Sequence, residues 1–269
     1  MFEIILILFL KLIFFKNKTY MFKKDQLISD LENIGHTKTK QTFPTELAEK
    51  IYDYLNIFTP KTKEELSRAV NQWTCNKEKA RTKYGEISTW DTSLITDMSK
   101  LFKNNKTFND DISNWDVSNV INMNSMFNCA YGFNKPLNKW NVSNVSNMSG
   151  MFSEAHSFNQ PLNNWDVSNV SYISCMFSHA HSFNQPLNDW DVSNAKDMNS
   201  MFRDTESFNQ PLNNWDVSKV KSMLGMFSEA HSFNQPINNW DVSNVKDMEN
   251  MFSEAHSFNQ PLNNWDVSN

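Results

Sequence analysis

Glycine is scarce in this chain, 5 in 269 residues, and cysteine scarcer, at 3. Phosphate-cradling loops need several glycines at fixed offsets, and neither a P-loop nor a G-x-G-x-x-G pattern is present. A nucleophile elbow is missing as well. Cys75, Cys129 and Cys175 are too few, and odd in number, to frame a disulfide-stapled domain. Basic residues are not in excess: 25 Lys and Arg face 30 Asp and Glu, leaving a net charge of −5. No surplus therefore exists to neutralise phosphates, which excludes generic nucleic-acid binding as an expectation. The chain must be held by its core. What it has in plenty is Phe, Met, Trp, Asn and Ser. Disordered segments are poor in aromatics, so this bias points to a repeated unit.

Long apolar runs are also missing. The longest, Phe2 to Phe15, carries Glu3 and Lys11 and falls short of the roughly 20 residues of a spanning helix. It has no basic segment ahead of it and no small-residue cleavage pattern, as a secretory signal would. Three readings stay open for residues 1–20: a short membrane anchor or atypical signal, a buried or interfacial helix, and translated sequence upstream of a start at Met21. The last leads slightly. With it the protein is expected to be soluble and intracellular; with an anchor it sits at a membrane or surface.

The repeat is the strongest signal. Trp stands at 90, 115, 140, 165, 190, 215, 240 and 265, always 25 residues apart, and Ser follows each three residues later. Phe-Asn recurs from 108–109 to 258–259 and a second Phe from 102 to 252, with no insertion or deletion. Residues 90–269 thus read as seven repeats plus a truncated eighth. Within one unit, Leu162-x-x-Trp165-x-Val167 has the spacing of a leucine-rich-repeat strand. Val170, Ile173, Met176, Phe177 and Ala180 fall within an arc of about 120° on a helical wheel, with Ser168 as N-cap. Pro186 marks the return turn. The expected fold is an α/β solenoid: a leucine-rich-repeat-like, right-handed stack of strand, short helix and turn. No unit buries its apolar residues alone, so stacking at about 4.8 Å must join them into columns. The expected core comprises Trp115, Trp140, Trp165, Trp190, Trp215 and Trp240 with Phe158, Phe183, Phe208 and Phe233. Met pairs such as Met198 with Met201 belong to that core rather than to a haem or copper site. The Asn of each Phe-Asn pair is expected to form a ladder down the stack.

The motif W-D-V-S-N-V-x-x-M-x-x-M-F-x-x-A-x-x-F-N-Q-P-L, nearly complete from Trp165 to Leu187, resembles the BspA-like leucine-rich-repeat surface proteins. The resemblance spans residues 84–269, with Tyr84 to Ser93 as a lead-in. It implies a solenoid used in adhesion or protein binding, often on a surface, and no catalytic residues. Such proteins occur also in protists and large DNA viruses. The first repeat departs at Thr92, Leu101 and Asp111, as a coil next to a cap does.

Residues 21–89 read as a helical capping region. Leu27, Ile28, Leu31 and Ile34 share a face ending at Gly35. Thr62 and Glu65 form a capping-box pattern before Leu66, Ala69, Val70 and Trp73, and Asn76 caps a last helix closed by Gly85. The segment Phe43-Pro44-Thr45-Glu46-Leu47-Ala48-Glu49-Lys50-Ile51-Tyr52-Asp53-Tyr54-Leu55 looks like the opening of an F-box, a module that docks on ubiquitin-ligase adaptors.

His156, His181, His231 and His256 share a repeat position but lack a Cys or carboxylate partner at the spacing of a tetrahedral site, and Arg203-Asp204-Thr205-Glu206 interrupts the row. A surface role is expected, with no metal and no cofactor. More weight falls on the residue after each Trp. Asp116, Asn141, Asp166, Asp191, Asp216 and Asp241, with Asn164, Asn214 and Asn239, form a candidate concave binding face. Carboxylates in such a row repel, so local backbone hydrogen bonds, cations or a basic partner must offset them; local bonding leads. The expected function is a non-catalytic scaffold binding a protein or a glycan. The alternatives are an F-box-like substrate receptor of a ubiquitin ligase and a structural or membrane-anchored surface component. The chain is not expected to be an enzyme or to bind nucleic acid. A membrane contact would come only through residues 1–20. The array stops at Trp265-Asp266-Val267-Ser268-Asn269, before the eighth helix; the final coil, with an open edge at 262–267, is expected to fray or to self-associate.

Overall fold

The structure is a computed structural model and describes residues 57–268. The apolar segment 1–20, the F-box-like segment 43–55 and the helix expected at 27–34 lie outside those residues. Residues 59–268 belong to one compact unit. It opens on two helices, α1 (Lys63–Cys75) and α2 (Lys77–Tyr84). The Thr62 hydroxyl accepts the Glu65 N–H, and the Glu65 carboxylate reaches back to the Lys61 N–H. The first bond satisfies an orphan donor of the first turn, and the second ties down the residue before the cap. Leu66, Ala69, Val70 and Trp73 form the buried face of α1. Asn76 ends α1 and caps α2 by accepting the Lys79 N–H. Gly85 closes α2 at φ 73°, a conformation that suits a residue without Cβ.

The helices cover the first coil. Trp73 and Tyr84 each meet Trp90 edge-on at 5.9 Å. The Trp73 indole N–H donates to Asp110 at 2.7 Å, and Lys77 pairs with the same carboxylate at 2.5 Å. Lys63 pairs with Asp97 at 2.9 Å and also donates to Ser99. Ile87, in a short 3-10 turn (Ile87–Thr89), takes the place that Ile112 and Leu137 fill in later coils: its carbonyl accepts the indole N–H of Trp115.

Beyond Trp90 the backbone repeats every 25 residues and stacks in parallel register. Single bridges join Asp97 to Asn122, Asn122 to Asn147, and so on to Asp247. Neither a multi-residue strand nor an α-helix lies in the described repeats, so the expected partition of each unit is not the arrangement found. The hydrogen bonds give the reason. Around the expected strand, Trp165 N–H turns back to Leu162 O and Val170 N–H to Val167 O, which closes two turns instead of extending the chain. In the expected helix, N–H groups alternate between two targets. In one coil Met126, Asn128 and Ala130 donate three residues back. Met123, Ser125, Phe127 and Cys129 donate to Asn147, Ser149, Met151 and Ser153 of the next coil. Ser125 and Cys129 have φ of 55° and 58°, and their counterparts from Lys100 and Asn104 to Asn250 and Glu254 are left-handed too. Left-handed residues at the third place of a turn break an α-helix.

The core lies inside these coils. The six expected Trp are 2–3% exposed and Phe158, Phe183, Phe208 and Phe233 fully buried. A Phe column runs from Phe102 through Phe127, Phe152, Phe177, Phe202 and Phe227 to Phe252, with centroids 5.4–5.8 Å apart. Each indole N–H from Trp115 to Trp265 donates to the carbonyl 28 residues earlier, so no buried donor is left over in that column. Met198 and Met201 are buried with them, as are the pairs Met123–Met126, Met148–Met151 and Met223–Met226, while Met248 of the last pair is half-buried.

Candidate functional site

Every residue of the expected binding face is exposed: Asp116, Asn141, Asp166, Asp191, Asp216, Asp241, Asn164, Asn214 and Asn239. Their polar atoms already have partners. From Asp116 to Asp241, Asn141 included, each side chain accepts the backbone N–H of the Ser two residues on, at 2.9–3.2 Å. The Ser168 and Ser243 hydroxyls add bonds of 2.6 Å to Asp166 and Asp241. These Ser donors hold Asp166, Asp216 and Asp241 below the usual carboxylate range. Around Asp241 the neighbouring Asp216 and Asp266 push the other way and are outweighed. Local hydrogen bonding thus offsets the like-charge row. Asn164 and Asn214 accept from Asn163 and Asn213, and Asn239 donates to the Asn213 carbonyl.

A second row holds the coils together. Asn109 Oδ1 accepts the Asn134 N–H, and the pattern continues through Asn159, Asn184, Asn209 and Asn234 to Asn259 at 2.9–3.0 Å. Gln160, Gln185 and Gln210 add their amides to the same oxygens. This is the Asn ladder the Phe-Asn pairs imply.

Other surface features were not legible from the motif. Four and six residues after Trp the repeat presents Asn, Ser or Lys, but the first two coils carry Leu94 and Ile121 there, 56% and 52% exposed. They border a shallow groove of about 540 Å³, lined also by Ser93, Thr96, Asn119 and Asn144. Further along the same row, Lys196, Lys221 and Lys246 are stacked on one another and exposed: Lys221 N–H donates to Lys196 O, and Lys246 N–H to Lys221 O. Only departures from the consensus single these positions out.

The histidines are not a uniform row. Tyr131 stacks on His156 at 4.4 Å and His156 on His181 at 4.6 Å, while His231 stacks on His256. Burial, then the neighbouring His181, pushes His156 below the ordinary imidazole range. His179 Nδ1 and His181 Nε2 both reach Asp204 Oδ2, at 2.8 and 3.1 Å. Partial burial raises the Asp204 carboxyl, but hydrogen bonds from the two imidazoles outweigh it and hold it below its usual range. The carboxylate partner that the sequence lacks nearby lies 25 residues on, in the next coil.

Stacked identical coils with a polar, hydrogen-bonded exterior define a repeat protein. Residues 64–190 and 172–269 match the family described as Mycoplasma protein of unknown function, DUF285, and the chain belongs to that family. Neither the search of curated proteins nor that of solved structures finds a match. Among the described residues, no helix is long and apolar enough to cross a membrane.

Proposed function

We propose that this chain is a non-catalytic scaffold of the BspA-like leucine-rich-repeat kind, a right-handed solenoid in which turns take the place of the repeat helix, and that it binds a protein or glycan through its exposed repeat face. Family membership supports a repeat protein of the surface-associated sort. The observation that carries the binding role is the pair Leu94 and Ile121. Two aliphatic side chains stand half exposed beside one groove, where other coils carry polar residues. Clustered apolar exposure next to polar surface marks interaction sites. The Asp row beside it has spent its local hydrogen-bonding on Ser N–H groups and offers charge rather than a cavity. That suits the edge of an interface.

The test is a binding screen of the intact chain against glycan arrays and surface proteins, repeated with Leu94→Asp/Ile121→Asp. Both sites are exposed, so the melting temperature should move little. A ligand held by the parent and lost by the double variant is the expected result. A ligand held equally by both would displace the site from this groove, and turnover of a bound substrate would overturn the non-catalytic reading.

A further inference from the structure

We propose that His179, His181 and Asp204 form a binding site for a zinc-class divalent ion, built across two adjacent coils by departures from the repeat. In the coils at 153–156, 228–231 and 253–256 the local sequence is Ser-Glu-Ala-His. The coil at 178–181 has His179 in place of that Glu, and the next has Asp204 there. Because the stack is in register, position 204 lies directly over 179. Both are left-handed, with φ of 58° at His179 and 52° at Asp204, and both are pinned by N–H bonds to the following coil at 2.7 and 2.8 Å. The ligand side chains therefore project from a rigid ladder, as a preorganised site requires.

The donor atoms, His179 Nδ1, His181 Nε2 and an Asp204 oxygen, lie within 4.8 Å of one another. A tetrahedral zinc with bonds near 2.0–2.1 Å separates its ligands by about 3.3 Å. Asp204 Oδ2, at 2.8 and 3.1 Å from the two nitrogens, has to withdraw by up to about half an ångström. The two nitrogens, within 4.8 Å of each other, have to come to the same separation by side-chain rotation. Two imidazoles and one carboxylate suit zinc and its first-row neighbours, not calcium or magnesium, which take oxygen ligands. The side chains are 37%, 34% and 18% exposed, so an ion has a path in, and water can fill the remaining coordination. Arg203, next to Asp204 in sequence, pairs with Glu229 at 2.9 Å. This site is independent of the docking groove and stands or falls apart from it.

The experiment is a titration of the metal-free full chain with Zn²⁺ by calorimetry and with Co²⁺ by visible absorption, with Mg²⁺ as the comparison. One equivalent of Zn²⁺ should bind at micromolar or tighter affinity, Co²⁺ should give visible bands, and Mg²⁺ should give no heat. His179→Gln and Asp204→Asn should each weaken Zn²⁺ at least tenfold. Asn104 already occupies the position equivalent to 204, left-handed at φ 65°, so Asp204→Asn preserves the coil. Circular dichroism checks this for both variants. His256→Gln, at a His that pairs with Glu254 and stacks on His231, should leave affinity unchanged. Lack of saturable binding below the millimolar range would overturn the site. So would binding that both His179→Gln and Asp204→Asn leave intact.

Discussion

Trp190 shows what one residue of the repeat contributes. It is 2% exposed, and its indole N–H donates to Leu162 O at 3.0 Å. Trp190→Ala should cost about 3–5 kcal/mol, as large core aromatics do. Trp190→Phe keeps a ring in the column but removes the indole N–H and part of the ring volume. Leu162 O keeps its bond from the Trp165 N–H, so the loss should be smaller, about 1–2 kcal/mol. Denaturant unfolding of both variants is the check, and two parental midpoints would show that the column does not hold the stack. Burial at this scale was legible in the sequence: a bulky ring at a fixed period has nowhere to go but the interior. The same holds for the Asn after each Phe, whose ladder follows from stacking. The His179–Asp204 pairing was not legible, since the carboxylate becomes a neighbour only once the register of two coils is known.

At the scale of elements, α1 and α2 were readable to the residue at their caps, because Thr62, Asn76 and Gly85 act through their own backbone neighbourhood. The helix expected after each Ser was not there. Turns closed between residues i and i+3 place Met123, Met126, Phe127 and Ala130 inside with the spacing of a helical face, so apolar periodicity cannot separate the two. The clue lay in the left-handed positions, where Gly150 and Gly225 stand in register with Ser125 and Ser200. The docking of the helices on the first coil carries a pH signature. Burial raises the carboxyls of Asp97 and Asp110. Hydrogen bonds from the Ser99 N–H and Lys63 to Asp97, and from Lys77 and Trp73 to Asp110, outweigh it, so both end below their usual value. A depressed folded pKa stabilises above the unfolded value of about 3.9 and loses that contribution as pH falls through the lower folded value. Asp110→Asn should therefore lower stability at pH 7 by less than about 1 kcal/mol for so exposed a pair, with a small fall in melting temperature. It should also flatten the loss between about pH 5 and 2. Thermal melts followed by Trp fluorescence decide it: profiles of parent and variant that run parallel would contradict the assignment.

For the molecule as a whole, contacts reach from each coil mainly to its neighbours, so stability should grow coil by coil. Removing residues 141–165 joins Trp140 to Asp166 in perfect register and should leave a folded protein with a smaller urea m-value, in step with the surface lost. Removing Asn163 alone puts the Trp, Phe and Asn columns out of phase and should be far more damaging. Urea titrations of the two deletions give the comparison; equal damage would mean that register is not what joins the coils. The alternation of N–H targets has an electrical consequence. In an ordinary parallel sheet successive N–H groups point to opposite sides, and the peptide dipoles largely cancel. Here the alternate groups are spent on local turns. Along the column made by residues 98–104 and their equivalents in later coils, the N–H groups that leave their coil point toward higher residue numbers, whereas those at Ile121, Ser146, Lys196 and Lys221 point toward lower ones. The forward bonds outnumber the backward ones, so the peptides of that column leave a net axial dipole, of the kind a helix has, whose negative end lies at the first coil, where Lys63 sits against Asp97 and Ser99.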